Sequence, residues 1–187
     1  MKRISILLAV LAIALTAGAQ QVTRDDWQSL QVVFTTGEVA IGEVTLAGET
    51  FSTLAVEGYQ ECADGYGTPA LPVFSQLIEV PLCDDFDVEV TGTEFDTLPA
   101  LRHRLVPVQL PRSKSDTSAF RLCISKEVYS WNLFVGMRLA EVEAAGIARD
   151  RRLARLQFAP VKYNPATGQV VVCRKATVEV RYIGADR

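Results

Sequence analysis

A single histidine and four cysteines are the side chains of this 187-residue sequence best equipped for chemistry. His103 stands in Arg102-His103-Arg104, between two cations. Joined to one of the cysteines it would form a Cys–His dyad. No cysteine occupies a recognisable nucleophile setting, so an exposed histidine is the simpler reading. One histidine also excludes most His-based metal sites. Asp84-Asp85-Phe86-Asp87 gathers acids suited to calcium, but the Asp-x-Asp-x-Asp-Gly spacing of a calcium loop is missing, and a solvated turn is expected. Gly-rich phosphate loops, paired-cysteine zinc spacing and a nucleophile elbow are all missing. No catalytic residue, metal or cofactor is therefore expected.

The elements that would hold any site begin after an export signal. Lys2 and Arg3 precede Ile4 to Leu15, an almost purely apolar run, and Ala17-Gly18-Ala19 supplies the small-x-small pattern for cleavage. The run of 12 residues would span about 18 Å as a helix, short of the roughly 30 Å hydrocarbon core. Residues 1–19 are read as a signal peptide and 20–187 as one mature domain, exported across the inner membrane to the periplasm, cell surface or medium. Its first residue would be Gln20, so no lipidated cysteine is implied, and no membrane association is expected after cleavage. Without Lys2 and Arg3 the chain carries 17 basic against 22 acidic residues, which gives no footprint for nucleic acid. Apolar residues at 49% and charged residues at 22% match a packed globular domain.

Export makes disulfides admissible, and four cysteines allow three pairings. Cys62 and Cys83 enclose twenty residues, a loop whose closure would stabilise by about 3 kcal/mol in the chain-entropy model. That pairing is favoured. Cys123 meeting Cys173 across neighbouring strands competes with it, as does burial of all four as thiols.

Period-2 alternation dominates the mature chain. Strands are predicted over Gln31–Thr35, Val39–Leu46, Phe51–Val56, Phe74–Pro81 and Asp87–Phe95, with turns at Thr35–Glu38, Ala47–Glu49 and Cys83–Asp85. Pro69, Pro72 and Pro81 are expected to bracket an unpaired lead-in to the strand at Phe74, because proline removes a ladder donor. Leu153–Tyr163, the turn Asn164–Gly168 and Gln169–Tyr182 form the clearest hairpin, with Tyr163, Val178, Val180 and Tyr182 facing the core. Leu139–Leu156 holds good helix formers, yet Gly146 interrupts it and Ala154, Leu156 and Phe158 alternate. Two strands joined near Gly146–Asp150 are preferred to a short helix. Pro111–Ser118 reads as a surface loop, with strand patterning resuming at Phe120. The sum is an all-β chain, an antiparallel β-sandwich.

An ordered series of motifs resembles a known family. Gly67-Thr68-Pro69-Ala70-Leu71-Pro72-Val73 leads into Leu77-Ile78-Glu79-Val80-Pro81. Glu127-Val128-Tyr129 and Phe134-Val135-Gly136 follow, then Ile147-Ala148-Arg149, Leu153–Phe158, Pro160-Val161-Lys162-Tyr163-Asn164-Pro165 and Thr167-Gly168. Over roughly Leu54 to Ile183 this order is similar to the N-terminal propeptide of gingipain-type secreted cysteine peptidases. The resemblance implies a β-sandwich that assists folding of a Cys/His peptidase domain, in cis or in trans, and inhibits it until cleaved. It also implies a basic side chain entering the specificity pocket like a substrate residue. No peptidase domain follows Arg187 here, so the chain is read as a piece of a precursor or as a stand-alone relative. The alternative class is a secreted surface or adhesin-type β-sandwich that binds something else.

A cation that plugs a pocket has to be held rigidly, because a floppy one loses conformational entropy on binding. Pro111–Ser118 offers Arg112 and Lys114 on a long polar loop. Gly146–Arg152 offers Arg149, Arg151 and Arg152 on a short one pinned between strands. Arg149 is therefore the expected mimic, with Arg151 next and Arg112 and Lys114 behind. A solvated hairpin tip, or an arginine tied to a carboxylate, is the structural alternative.

Overall fold

The computed structural model describes residues 20–62, 65–111, 113, 115 and 120–185. Eleven strands are present among them: β1 Gln20–Asp25, β2 Ser29–Thr35, β3 Val39–Leu46, β4 Glu49–Val56, β5 Gln60–Cys62, β6 Leu71–Val80, β7 Asp85–Leu98, β8 Ala140–Ala148, β9 Arg151–Phe158, β10 Val161–Tyr163 and β11 Val170–Ile183. Among the described residues one 3-10 turn is present, over Val128–Ser130. β11 is the spine of one sheet, antiparallel to β7 along one edge and to β10 and then β2 along the other, with β1 outside β2. The second sheet runs β5-β6-β9-β8, and β3 and β4 form a separate hairpin. Predicted fold class and observed fold agree.

Alternation fixes how the sheets meet. In β11, Ala176, Val178, Val180 and Tyr182 are buried on one face, while Thr177, Glu179 and Arg181 take the other. Leu30, Val32 and Phe34 of β2 join them against Ala154, Leu156 and Phe158 of β9 and Val80 of β6. Phe34 stacks on Phe158 with ring centroids 4.3 Å apart, so one aromatic pair bridges the two layers. A second core gathers Leu54 and Val56 of β4, Leu71, Tyr163, Val170 and Val172. As expected, Tyr163, Val178, Val180 and Tyr182 are all buried.

Three expectations need correction. Leu153–Tyr163 is not one strand. It breaks at Ala159-Pro160, and the chain passes from the second sheet (β9) to the first (β10). Pro160 has no N–H to give a ladder, and its carbonyl instead accepts from Cys173 N at 2.8 Å. The lead-in to β6 is also paired: Gln60, Glu61 and Cys62 lie opposite Val73, Pro72 and Leu71. Proline is tolerated there because β9 does not begin to pair until Phe74, so Pro72 has a ladder neighbour on one side alone. Leu71 and Val73 are buried. Finally, no strand forms at Phe120–Ser125. The amide of Gln109 bonds both N and O of Cys123, each at 2.9 Å, and takes the place of a neighbouring strand.

The long connection from β7 to β8 is fastened by tyrosines. Tyr129 Oη donates to the Leu105 carbonyl at 2.5 Å, and Leu105 N donates to Tyr163 Oη at 3.3 Å. Arg104 lies over the Tyr129 ring and pairs with Glu49. Burial is the main cause that raises the Tyr129 and Tyr163 pKa values, and it pushes Tyr182 up to about 12.

Candidate functional site

Gly146–Arg152 forms two strands and the tight turn between them, as the interrupted alternation predicted, and no helix. β8 and β9 pair from Ala140↔Phe158 to Ala148↔Arg151. The register shifts between Ala144 and Gly146, and Gly146 sits at φ 127, a conformation open to a residue without Cβ. Arg149 and Asp150 alone fill the turn, at φ 48 and 66. Positive φ at both central residues matches the right-handed twist of the strands they join.

The turn extends past the body of the sandwich. Glu143 to Arg151 are exposed, and Ile147 is 78% exposed. Two arginines at its base are tied down. Arg151 Nη1 lies 2.8 Å from Oε2 of Glu79 on β6, and Arg152 Nη1 donates to the carbonyl of Cys83. Arg149 is different: its side chain has no hydrogen-bond or ion-pair partner among the described residues, and it projects from a backbone fixed by the ladder. The tip thus carries, at the end of a paired hairpin, one cation with no partner among the described residues. Arg112 and Lys114 lie outside the described residues.

The other candidates resolve into structure. His103 Nε2 faces Glu43 Oε1 at 3.5 Å. Asp87 pairs with Arg181 at 3.4 Å, and among the described residues no group of three His, Cys, Asp or Glu is placed to hold a metal. All four cysteines are thiols. The favoured Cys62–Cys83 pairing fails on geometry. Cys62 is paired with Leu71 at the start of β6, and Cys83 follows its far end at Val80, about 30 Å away at strand spacing. A disulfide needs Cα atoms within about 7 Å. Cys173 is buried in the inter-sheet core, and Cys123 sits beside Gly67, near a different cluster. Loop closure entropy depends on chain separation and carries no information on this direction.

Glu79 and the Cys83 carbonyl were not anticipated as tethers. Glu79 stands 72 residues from Arg151, and its role depends on β6 lying against β9, which places Glu79 opposite Leu153. The only sequence signal was the alternation of both strands.

Comparison with known proteins places the whole chain. The Propeptide_C25 family model matches residues 15–186. Lys-gingipain HG66 and Lys-gingipain W83 of Porphyromonas gingivalis are each 29% identical over 168 residues, 88% of this chain. The chain spans 10% of the length of these relatives. A structure described as giving insight into zymogenic latency of gingipain K from the same organism superposes with a TM-score of 0.82 at 26% identity, covering 92% of this chain and 97% of that one. The complex of Porphyromonas gingivalis RgpB pro- and mature domains matches in fold, with a TM-score of 0.75 at 19% identity over 90% of this chain and 88% of that one.

Proposed function

Because this chain belongs to the Propeptide_C25 family, we propose that it docks on a gingipain-type cysteine peptidase domain, assists its folding and holds it inactive until the propeptide is cleaved. The chain is the propeptide and not the catalytic part of such an enzyme. The observation that carries the inhibitory reading is the contrast at the β8–β9 turn. Arg151 and Arg152 are engaged by the body of the domain, while Arg149 stands exposed and unengaged on a turn with fixed backbone. Arg149 is the substrate mimic: its guanidinium would enter the specificity pocket and pair with an acidic group there. Because the ladder already orders its backbone, little conformational entropy remains to be lost on binding. Arg151 ranks below it, since it would first have to leave Glu79. Arg112 and Lys114 are the reserve candidates.

Residues 1–19 would direct export as a cleaved signal peptide, leaving residues 20–187 as the working domain outside the inner membrane. The partner is a peptidase domain, in cis or in trans. Mixing the purified chain with a mature gingipain-type peptidase tests this. Slowed hydrolysis of a peptide substrate with a basic residue before the cut supports it, and an unchanged rate rejects it.

A further inference from the structure

We propose that an apolar cavity beside Trp131 seats one aliphatic or aromatic side chain from an acidic face of the peptidase domain, and so anchors the two together away from the specificity pocket. This rests on the reading that the chain docks on such a domain. The cavity measures about 230 Å³ and lies between the start of β6 and the end of the connection from β7 to β8, with Pro69, Leu71, Val128, Trp131, Val135 and Met137 in its walls. An apolar cavity of about 150 Å³ already holds benzene, so this one has room for a leucine or phenylalanine side chain. Its walls are fixed. Val135 exchanges both backbone hydrogen bonds with Tyr163, at 2.8 and 3.1 Å. A Cβ at Gly136 would stand 2.9 Å from Leu71 Cδ1, so glycine lets the connection lie against β6. Lys162 Nζ donates to the carbonyls of Gly136 and Met137. Trp131, Leu133 and Phe134 are exposed. Single exposed apolar residues are ordinary, but three within four positions beside an apolar cavity form a rim that excludes water around a seated side chain.

Charge selects the occupant. Residues 99–139 carry 7 basic and 2 acidic residues, a net of +5, whereas residues 20–98 carry 1 and 15, a net of −14. At the cavity, Lys126 stands two residues before Val128 and Arg138 follows Met137, both exposed. Among the described residues neither has an acid within ion-pair distance, and Glu127 is the one acid between Phe120 and Arg138. A positive surround in an otherwise acidic domain steers a negative partner to this end and repels a positive one. A second copy fits less well. Its Glu49, Glu79, Asp87, Glu89 and Asp96 are already paired with arginines of their own chain.

Surface plasmon resonance tests this with the full chain and a mature gingipain-type peptidase whose nucleophilic cysteine is changed to alanine. Trp131→Ala removes a wall and part of the rim, and is expected to weaken binding by at least about thirtyfold, as loss of a hot spot does. Lys126→Glu with Arg138→Glu leaves the cavity intact. It is expected to slow association about tenfold at low salt, with the difference vanishing in 1 M salt. Both sites are exposed, so the charge variant decides should Trp131→Ala unfold. Natural affinity in Trp131→Ala, or a natural association rate in the charge variant, overturns the proposal and leaves the docking reading intact. A natural chain that does not bind overturns both. Sedimentation of the chain alone provides the last arm: self-association that Trp131→Ala abolishes would give the cavity to a second copy and overturn the proposal.

Discussion

Arg151 and Glu79 close the base of the β8–β9 turn, with Nη1 of the arginine 2.8 Å from Oε2 of the glutamate. Both side chains are largely exposed, so the pair is worth at most about 1 kcal/mol. Glu79→Ala should lower stability by no more than that in denaturant titration. Its larger effect should be on the turn, seen as faster amide hydrogen exchange at Arg151 and Arg152 than in the natural chain.

The stacked Phe34–Phe158 pair joins the two sheets, and both rings are buried. Phe158→Ala removes a ring from the centre of the larger core. It should cost about 3–5 kcal/mol, measured by urea unfolding, whereas Phe158→Leu should recover much of the loss.

The alternation of β11 and β2 announced this core in the residues themselves, because a sheet buried on one face has to repeat every second position. The break at Ala159-Pro160 was hidden for the same reason. Leu156, Phe158, Val161 and Tyr163 are all buried, and nothing local marks the change of sheet except the proline. The site was legible in part. Gly146 and the arginine cluster located the turn, and a tight turn explained why Arg149 would be well held. What separated Arg149 from Arg151 was Glu79, brought in by pairing of β6 with β9. The cysteines were misjudged because a loop of convenient length had been equated with ends that meet, whereas β6 holds them at opposite ends of one strand.

The thiols give a direct check. Cys83 and Cys173 are buried, and desolvation is the main cause that raises both pKa values. In the native protein they should react with a thiol reagent only after unfolding, and a reductant should leave the thermal midpoint unchanged. A drop in midpoint with reductant would mean that a disulfide supports the fold.

Alkali should destabilise the domain. Tyr182 is pushed up to about 12 by burial first and then by Asp25, Cys83 and Asp26, against an ordinary value of 10. Between pH 10 and 12 the unfolded tyrosine has lost its proton while the folded one keeps it. The folded state binds more protons, so stability present below pH 10 falls as pH rises through this window. Tyr129 and Tyr163, raised in the same direction, extend the effect. Unfolding free energy measured from pH 8 to 12 should be level at first and then decline; a rise above pH 10 would contradict the burial of these phenols.

The most direct measurement compares the inhibition constants of the natural chain and of Arg149→Ala against a mature gingipain-type peptidase, with thermal unfolding of both as control. Arg149 has no internal partner among the described residues, so its removal should leave the unfolding midpoint nearly unchanged. As the proposed anchor in the specificity pocket it should be a binding hot spot, and inhibition should weaken by at least about thirtyfold. Equal inhibition by the two proteins would contradict the assignment of Arg149, and failure of the natural chain to inhibit at all would contradict the account as a whole.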